Sequence, residues 1–194
     1  MLKNLVNLTG AIAVIGLAAW PFMQLPSDTP EAPQDVMQNS SALPCLMDEP
    51  GRLQAALFGS IQQETDLSGD NLLCGGDYNQ RIRLVFTGSN STELANITLI
   101  LSINAELTEQ QQRDVATNIT VMNTATGEFF SAQSSDRCWS DIELVKLVSE
   151  GTQDLWKASG TSYCAGALPQ VAGRGSVTVG KLNFSGRMVD IRAN

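Results

Sequence analysis

Asp136-Arg137-Cys138-Trp139-Ser140-Asp141 and Gly160-Thr161-Ser162-Tyr163-Cys164 begin and end the stretch of sequence that decides the fold. Between its two cysteines, this stretch holds two of the chain's three tryptophans and one of its two tyrosines. Disulfides packed against large aromatic rings are typical of domains that fold outside the cytoplasm. We therefore interpret the stretch as a disulfide-tied, aromatic-packed section of a β domain.

The four cysteines, Cys45, Cys74, Cys138 and Cys164, are even in number and widely spaced. No C-x-x-C occurs, which argues against a zinc ribbon or a thioredoxin-type motif. Behind a targeting segment the pattern favours two structural disulfides, with one metal held by all four thiolates as the alternative. We predict the pairs Cys45–Cys74 and Cys138–Cys164, because neighbours in sequence are usually neighbours in space.

Composition excludes several function classes. The chain carries 20 acidic and 12 basic residues, a net charge of −8, and such a negative field opposes binding of nucleic acid. It contains no histidine, which removes the Ser-His and Cys-His nucleophile pairs and the commonest metal ligand. No phosphate-binding, dinucleotide-binding or G-x-S-x-G motif occurs, so we predict no cofactor.

Residues 1–23 have the pattern of a targeting segment, in which Lys3 precedes a long apolar run. A secretory signal peptide is one interpretation. The other is a retained membrane anchor, because residues 5–25 are about as long as a helix that crosses a bilayer. The anchor would keep its cationic end in the cytoplasm and would place the rest of the chain on the periplasmic or extracellular face of the inner membrane.

Residues 24–44 predict a Pro-rich flexible linker. They contain four of the seven prolines and few large apolar residues. Such a segment buries too little apolar surface to offset the entropy lost on ordering. It would hold the following domain away from the membrane.

Residues 45–194 predict a disulfide-bonded β domain. Apolar residues alternate with polar ones over residues 81–87, where Ile82, Leu84 and Phe86 share one face, and again over residues 96–103. Residues 107–116 suit a surface loop or one short helix, and residues 142–148 suit a strand or a helix. Glycines predict a bulge in the strand at Gly160 and a bulge or tight turn at Gly180. Short strands with turn signals every 8 to 14 residues predict an all-β fold, either an antiparallel β-sandwich (jelly-roll or Ig-like) or a barrel, preceded by one N-terminal hydrophobic helix.

Three aromatic residues and the acids around Trp139 are the candidate binding residues. Trp139, Trp156 and Tyr163 are candidates for a carbohydrate-stacking face, but aromatic residues beside a disulfide more often pack in the core of β domains, and we favour that interpretation. Asp136, Asp141 and Glu143 cluster around Trp139 and are candidates for a sugar-binding or hydrolytic carboxylate pair, but an ordinary edge turn in which Arg137 balances the acids is the favoured interpretation.

A weaker pattern concerns calcium. Asp66, Ser68, Asp70 and Asp77 occupy positions 1, 3, 5 and 12 of a twelve-residue window, as in a calcium-binding loop. The match fails at position 6, which is Asn71 rather than glycine. A turn with solvated acids is therefore the favoured interpretation.

These observations favour a non-enzymatic envelope protein, secreted or membrane-tethered, whose β domain binds a protein partner as an accessory subunit of a membrane assembly. A carbohydrate- or ligand-binding module that uses exposed aromatic rings is the alternative hypothesis. A carboxylate-based hydrolase is the third.

Overall fold

The computed structural model describes residues 51–89, 92, 94–132, 137–147 and 154–192. These residues form twelve β-strands and one 3-10 turn at Gly69–Asn71, and they contain no α-helix. The strands are β1 Arg52–Gly59, β2 Gln63–Ser68, β3 Leu72–Tyr78, β4 Ile82–Gly88, β5 Ile97–Ile103, β6 Gln112–Asn123, β7 Glu128–Ser131, β8 Cys138–Lys146, β9 Leu155–Cys164, β10 Leu168–Pro169, β11 Ser176–Val179 and β12 Leu182–Asp190. The predicted all-β class is confirmed.

Seven strands close into a barrel in the order β12-β3-β4-β5-β6-β8-β9. The ring closes because β12 pairs antiparallel with β9 along one edge and parallel with the end of β3 along the other. All the other pairings are antiparallel. Of the two predicted architectures, the structure therefore has the barrel and not the sandwich.

A second group of strands extends the sheet beyond β12. β1 pairs with β12, β11 and β2, and β10 adds to β11. β11 and β12 lie one after the other along the same edge of β1, and the register shifts by one residue between them. Gly180 lies at this shift and donates its backbone N–H to the Ala56 carbonyl at 2.7 Å. The irregularity predicted at Gly180 is confirmed as a bulge.

The barrel interior is filled mainly by aliphatic side chains. The predicted alternation holds, because Ile82, Leu84 and Phe86 on β4 are fully buried. Phe86 meets Phe184 of β12 with ring centroids 6.2 Å apart. Burial of each such side chain stabilises the fold by about 1.5–3 kcal/mol.

Three buried hydroxyl groups interrupt this apolar interior. Thr117 donates to the Val115 carbonyl at 2.9 Å, so its oxygen accepts from Ser140 at 2.8 Å. Ser140 in turn accepts from Ser162 at 2.6 Å. Each hydroxyl hydrogen therefore has an acceptor, and the chain Ser162–Ser140–Thr117 avoids the cost of an unsatisfied buried polar group.

The predicted disulfide between Cys138 and Cys164 is confirmed. The two residues are direct cross-strand partners on β8 and β9, with Cα atoms 4.0 Å apart. Cys74 is buried and also disulfide-bonded. Cys45 lies outside the described residues, so the pair Cys45–Cys74 stays a prediction.

Two local predictions need correction, and one that was left open between strand and helix is resolved as a strand. Residues 112–116 do not form a loop or helix but begin β6, and their polar side chains point away from the core. A bulge interrupts the pairing of β6 with β8 between Gln112 and Val115. Residues 142–146 belong to β8 rather than to a helix, since their alternate side chains are buried. Gly160 is not at a bulge, because the β8–β9 register continues unbroken through it.

Close backbone approach explains Gly160 instead. A Cβ atom at this position would collide with the Asp141 carbonyl oxygen of β8. Glycine within a strand commonly marks such an approach.

Residues 1–23 and the linker at 24–44 lie outside the described residues, so the N-terminal hydrophobic helix stays a prediction. Within the described ranges, no helix is long and apolar enough to cross a membrane.

Replacing Gly160 by alanine should lower the free energy of unfolding by about 2 kcal/mol or more, because the added methyl group would push β9 away from β8. Urea denaturation measures the loss. Gly166→Ala is the matched control, since no heavy atom lies within 4 Å of its added Cβ. Equal stabilities of the two variants would contradict this explanation.

Candidate functional site

A row of polar side chains crosses five strands on the outer surface of the sheet. Its members are direct partners in register on β8, β9, β12, β1 and β2. In that order they are Asp141, Thr161, Asn183, Gln54 and Asp66, and we call this row the polar ladder. Hydrophobic neighbours such as Leu53 and Phe184 point into the core, so alternation along each strand directs the ladder outward.

Hydrogen bonds join the central members of the ladder. The Thr161 hydroxyl donates to Asn183 Oδ1 at 2.9 Å, and Asn183 Nδ2 donates to Gln54 Oε1 at 2.8 Å. At the far end, Arg52 holds both carboxylate oxygens of Asp66, at 3.2 and 2.9 Å. This contact lowers the pKa of Asp66, chiefly through the hydrogen bond from Arg52, and keeps the carboxylate ionised.

An open groove lies at the β1–β2 end of the ladder, with a volume of about 390 Å³. Six of its eight lining residues have polar side chains. The residues are Gln54, Ala55, Ala56, Glu64, Thr65, Asp66, Lys181 and Asn183. Three ladder members therefore also line a concave surface.

An aromatic pair lies at the other end. Trp139 and Tyr163 are cross-strand partners on β8 and β9, and their ring centroids are 5.9 Å apart at an interplanar angle of 31°. Trp139 is half-buried and Tyr163 is 38% exposed. Both rings are therefore partly open to solvent on the same outer face as Asp141.

Tyr163 also reaches across β8 to β6. Its hydroxyl donates to Oδ1 of Asp114, the residue with positive φ (51°) at the β6 bulge. The Asp114 backbone N–H in turn donates to Asp141 Oδ1 at 3.0 Å. The hydrogen bond to Asp114, together with desolvation and the nearby carboxylates, raises the pKa of Tyr163 to about 12. The bulge thus fixes the position of the aromatic pair.

The predicted binding residues are only partly brought together. Trp139, Tyr163 and Asp141 form one cluster. Trp156 is only 7% exposed and packs in the hydrophobic core. Lys146 Nζ lies 5.9 Å from its ring centroid. The three aromatic rings therefore do not lie on one face. Asp136 lies outside the described residues, and its predicted hydrolytic pairing with Asp141 stays a prediction.

Sequence reasoning did not find several members of the site. Asp114 is 49 residues from Tyr163 in sequence, and Gln54 is 129 residues from Asn183. Only the strand register brings them together. The positive φ of Asp114 had no sequence signal beyond the known tolerance of aspartate for that conformation.

The residues of the predicted calcium loop lie on separate elements. Asp66 and Ser68 are on β2, Asp70 is in the 3-10 turn, and Asp77 on β3 faces Arg83 at 3.8 Å. Asp66 is bound by Arg52. Among the described residues, no group of three or more acidic or cysteine side chains could hold a metal ion.

A different surface covers β3 to β7 on the other side of the barrel. Two of its cross-strand rows contain no charged residue, and we call them together the uncharged face. The first row is Leu73, Thr87, Thr98, Met122 and Phe129, and the second is Gly75, Val85, Ile100, Thr120 and Ser131. Leu73 is 56% exposed and Phe129 is 45% exposed. Exposed Val171 adjoins this face, because its N–H donates to the Phe129 carbonyl at 2.8 Å.

Comparisons of the chain with models of protein families, with curated proteins and with solved structures found no match. The geometry of these two outer surfaces is therefore the basis of the functional argument.

The Tyr163 phenol should remain mostly protonated at about pH 11, one unit above the usual pKa of tyrosine. Because its pKa is raised on folding, the stabilisation is complete below pH 10 and is lost as the pH rises towards 12. Asp114→Asn removes the charge and should return the pKa towards 10. Carbon-13 NMR of labelled tyrosine measures the pKa of Tyr163 with and without Asp114→Asn. A Tyr78→Phe background leaves one tyrosine signal. An unchanged titration in Asp114→Asn would contradict the assignment of Asp114 as the cause.

Proposed function

We propose that the β domain is a non-enzymatic binding module that docks onto a membrane-associated protein through the uncharged face. The observation that supports this most is the pair of cross-strand rows without a charge, in a chain whose net charge is −8. Depletion of charge and exposure of apolar side chains are typical of protein interfaces, and here the exposed Leu73 and Phe129 lie at the two ends of the first row.

The side chains of the uncharged face are suited to a dry contact. Several polar groups already bond to one another, as in Thr87 with Thr98 at 2.9 Å and Thr120 with Ser131 at 3.0 Å. These hydroxyls would cost less to desolvate, because each keeps a hydrogen-bond partner when water leaves. Leu73 and Phe129 would supply the apolar contact area.

The face is small, and the charge of the chain favours a different protein over a second copy. Strand spacings give the face an area on the order of 300 Å², below the roughly 800 Å² per partner of a standard stable interface. Two copies with a net charge of −8 each would also repel one another. A partner with an uncharged contact surface and a neutral or basic rim fits this acidic domain.

The predicted anchor at residues 5–25 would compensate for the small area. A domain tethered to the same membrane as its partner has a high effective concentration, so a weak contact is sufficient. The protein would then act as an accessory subunit on the periplasmic or extracellular face of the inner membrane.

A photo-crosslinking amino acid at position 73 or 129 of the full chain, expressed in its native host, tests this proposal. We expect both positions to give the same adduct with one protein other than this chain. Phe58 is the matched control position, because it is 49% exposed and lies on the outer side of β1. Leu73→Lys in the chain with the crosslinker at position 129 should reduce the adduct about tenfold or more, since a buried unpaired charge costs several kcal/mol.

Three results would overturn the proposal. The first is an adduct at twice the chain mass of 20.8 kDa, which would indicate a second copy. The second is the absence of any discrete adduct in native membranes. The third is equal labelling from position 58.

A further inference from the structure

We propose that the polar ladder, with the groove at one end and the aromatic pair at the other, binds a neutral glycan chain. This surface is separate from the uncharged face, because it uses β8, β9, β12, β1 and β2 rather than β3 to β7. The inference therefore goes beyond docking of a protein. It combines two independent features, a concave polar groove and a solvent-facing ring pair.

The hydrogen-bonding capacity of the ladder fits hydroxyl groups. Sugar hydroxyls both donate and accept, so they need a surface that offers both functions. Within the hydrogen bonds of the described residues, Gln54 uses its amide oxygen only, and Asn183 uses one amide hydrogen. Their remaining amide hydrogens are donors in the middle of the row, and the carboxylate oxygens of Asp141 are acceptors at one end, so the ladder offers both functions.

The aromatic pair supplies the apolar part of sugar recognition. One face of a pyranose ring is lined by C–H groups, which pack against an aromatic ring. Trp139 and Tyr163 present partly exposed rings beside Asp141, and the contact of Tyr163 with Asp114 on β6 holds its ring in place before a ligand binds. Such pre-organisation reduces the entropy lost on binding.

The shape of the surface favours a chain over a single sugar. The ladder crosses four spacings between strands, which is about 19 Å. Its members are consecutive cross-strand partners, so a linear ligand that follows the surface of the sheet can contact the ring pair and the groove at the same time. Contacts at both ends would add their binding free energies within one ligand.

The local charges favour a neutral glycan. Arg52 already neutralises Asp66 with two hydrogen bonds. Lys181 and Glu64 both line the groove and are of opposite charge, while Asp114 and Asp141 make the aromatic end acidic. Uronate or sulfate groups would be repelled there.

Titration calorimetry of the full chain with neutral hexasaccharides of glucose, mannose and N-acetylglucosamine tests the inference. Any detergent must lack a sugar headgroup, which would compete. We expect at least one probe to bind, and Trp139→Ala should weaken it about tenfold or more by removing the stacking surface. Trp139→Phe, which keeps a ring, should retain more of the affinity.

Gln54→Ala should weaken the same probe about fivefold, as expected for one lost hydrogen bond. Gln62→Ala is its matched control, because Gln62 is also exposed but lies outside the ladder and the groove. Gln54 is exposed, so its variant keeps the test informative if Trp139→Ala fails to fold.

No binding of any probe at about 10 mM, where a Kd of 1 mM would be nearly saturating, would overturn the inference. So would binding that Trp139→Ala and Gln54→Ala leave unchanged. Preference for an acidic hexasaccharide over the neutral ones would overturn the assignment of a neutral ligand. Leu73→Lys should not change glycan binding, so failure here is distinguishable from failure of the docking proposal.

Discussion

The pairing of β12 with strands on both of its edges is the constraint on which the rest of the structure depends. β9 lies along one edge for eight residues, whereas β1 and then β3 occupy the other. Without β12, the edges of β9 and β3 would be open to association with other chains. The barrel is therefore complete only when β12 has paired with both β9 and β3. Such long-range pairing is intrinsically slow to form.

The β8–β9 pair then fixes the outer surface. Two contacts lie at successive inward positions of this pair, the Cys138–Cys164 disulfide and the buried Ser140–Ser162 hydrogen bond. Neither can form if β9 is shifted by one residue relative to β8. Such a slip would also exchange the inner and outer faces of a strand. Trp139, Asp141 and Tyr163 can therefore face outward together only in this register. Chemistry inside the barrel thus determines what the surface presents.

Most of the β content could be predicted from sequence because burial on one face leaves an alternating pattern, as in Ile82, Leu84 and Phe86. Prediction failed where that pattern is weak. β2 lies at the edge with three exposed and three half-buried residues, and the start of β6 is polar and bulged. The candidate site was less predictable, because sequence spacing gives no register between distant strands. Trp139 and Tyr163 could be proposed from their residue types, whereas Asn183 and Gln54 acquire significance only as cross-strand neighbours.

The two outer surfaces need not compete for their ligands. They share no residue, although Asp114 on β6 contacts the aromatic pair, and among the described residues the core between them is one closely packed hydrophobic cluster. Sites that are well separated and share no partners usually contribute additively to binding. A closed barrel tied by a disulfide offers few alternative arrangements through which one site could alter the other. A protein bound at β3 to β7 and a glycan bound across β8, β9, β12, β1 and β2 would therefore be held by the same domain at once. The barrel would then act as a rigid connector between its two ligands rather than as a switch.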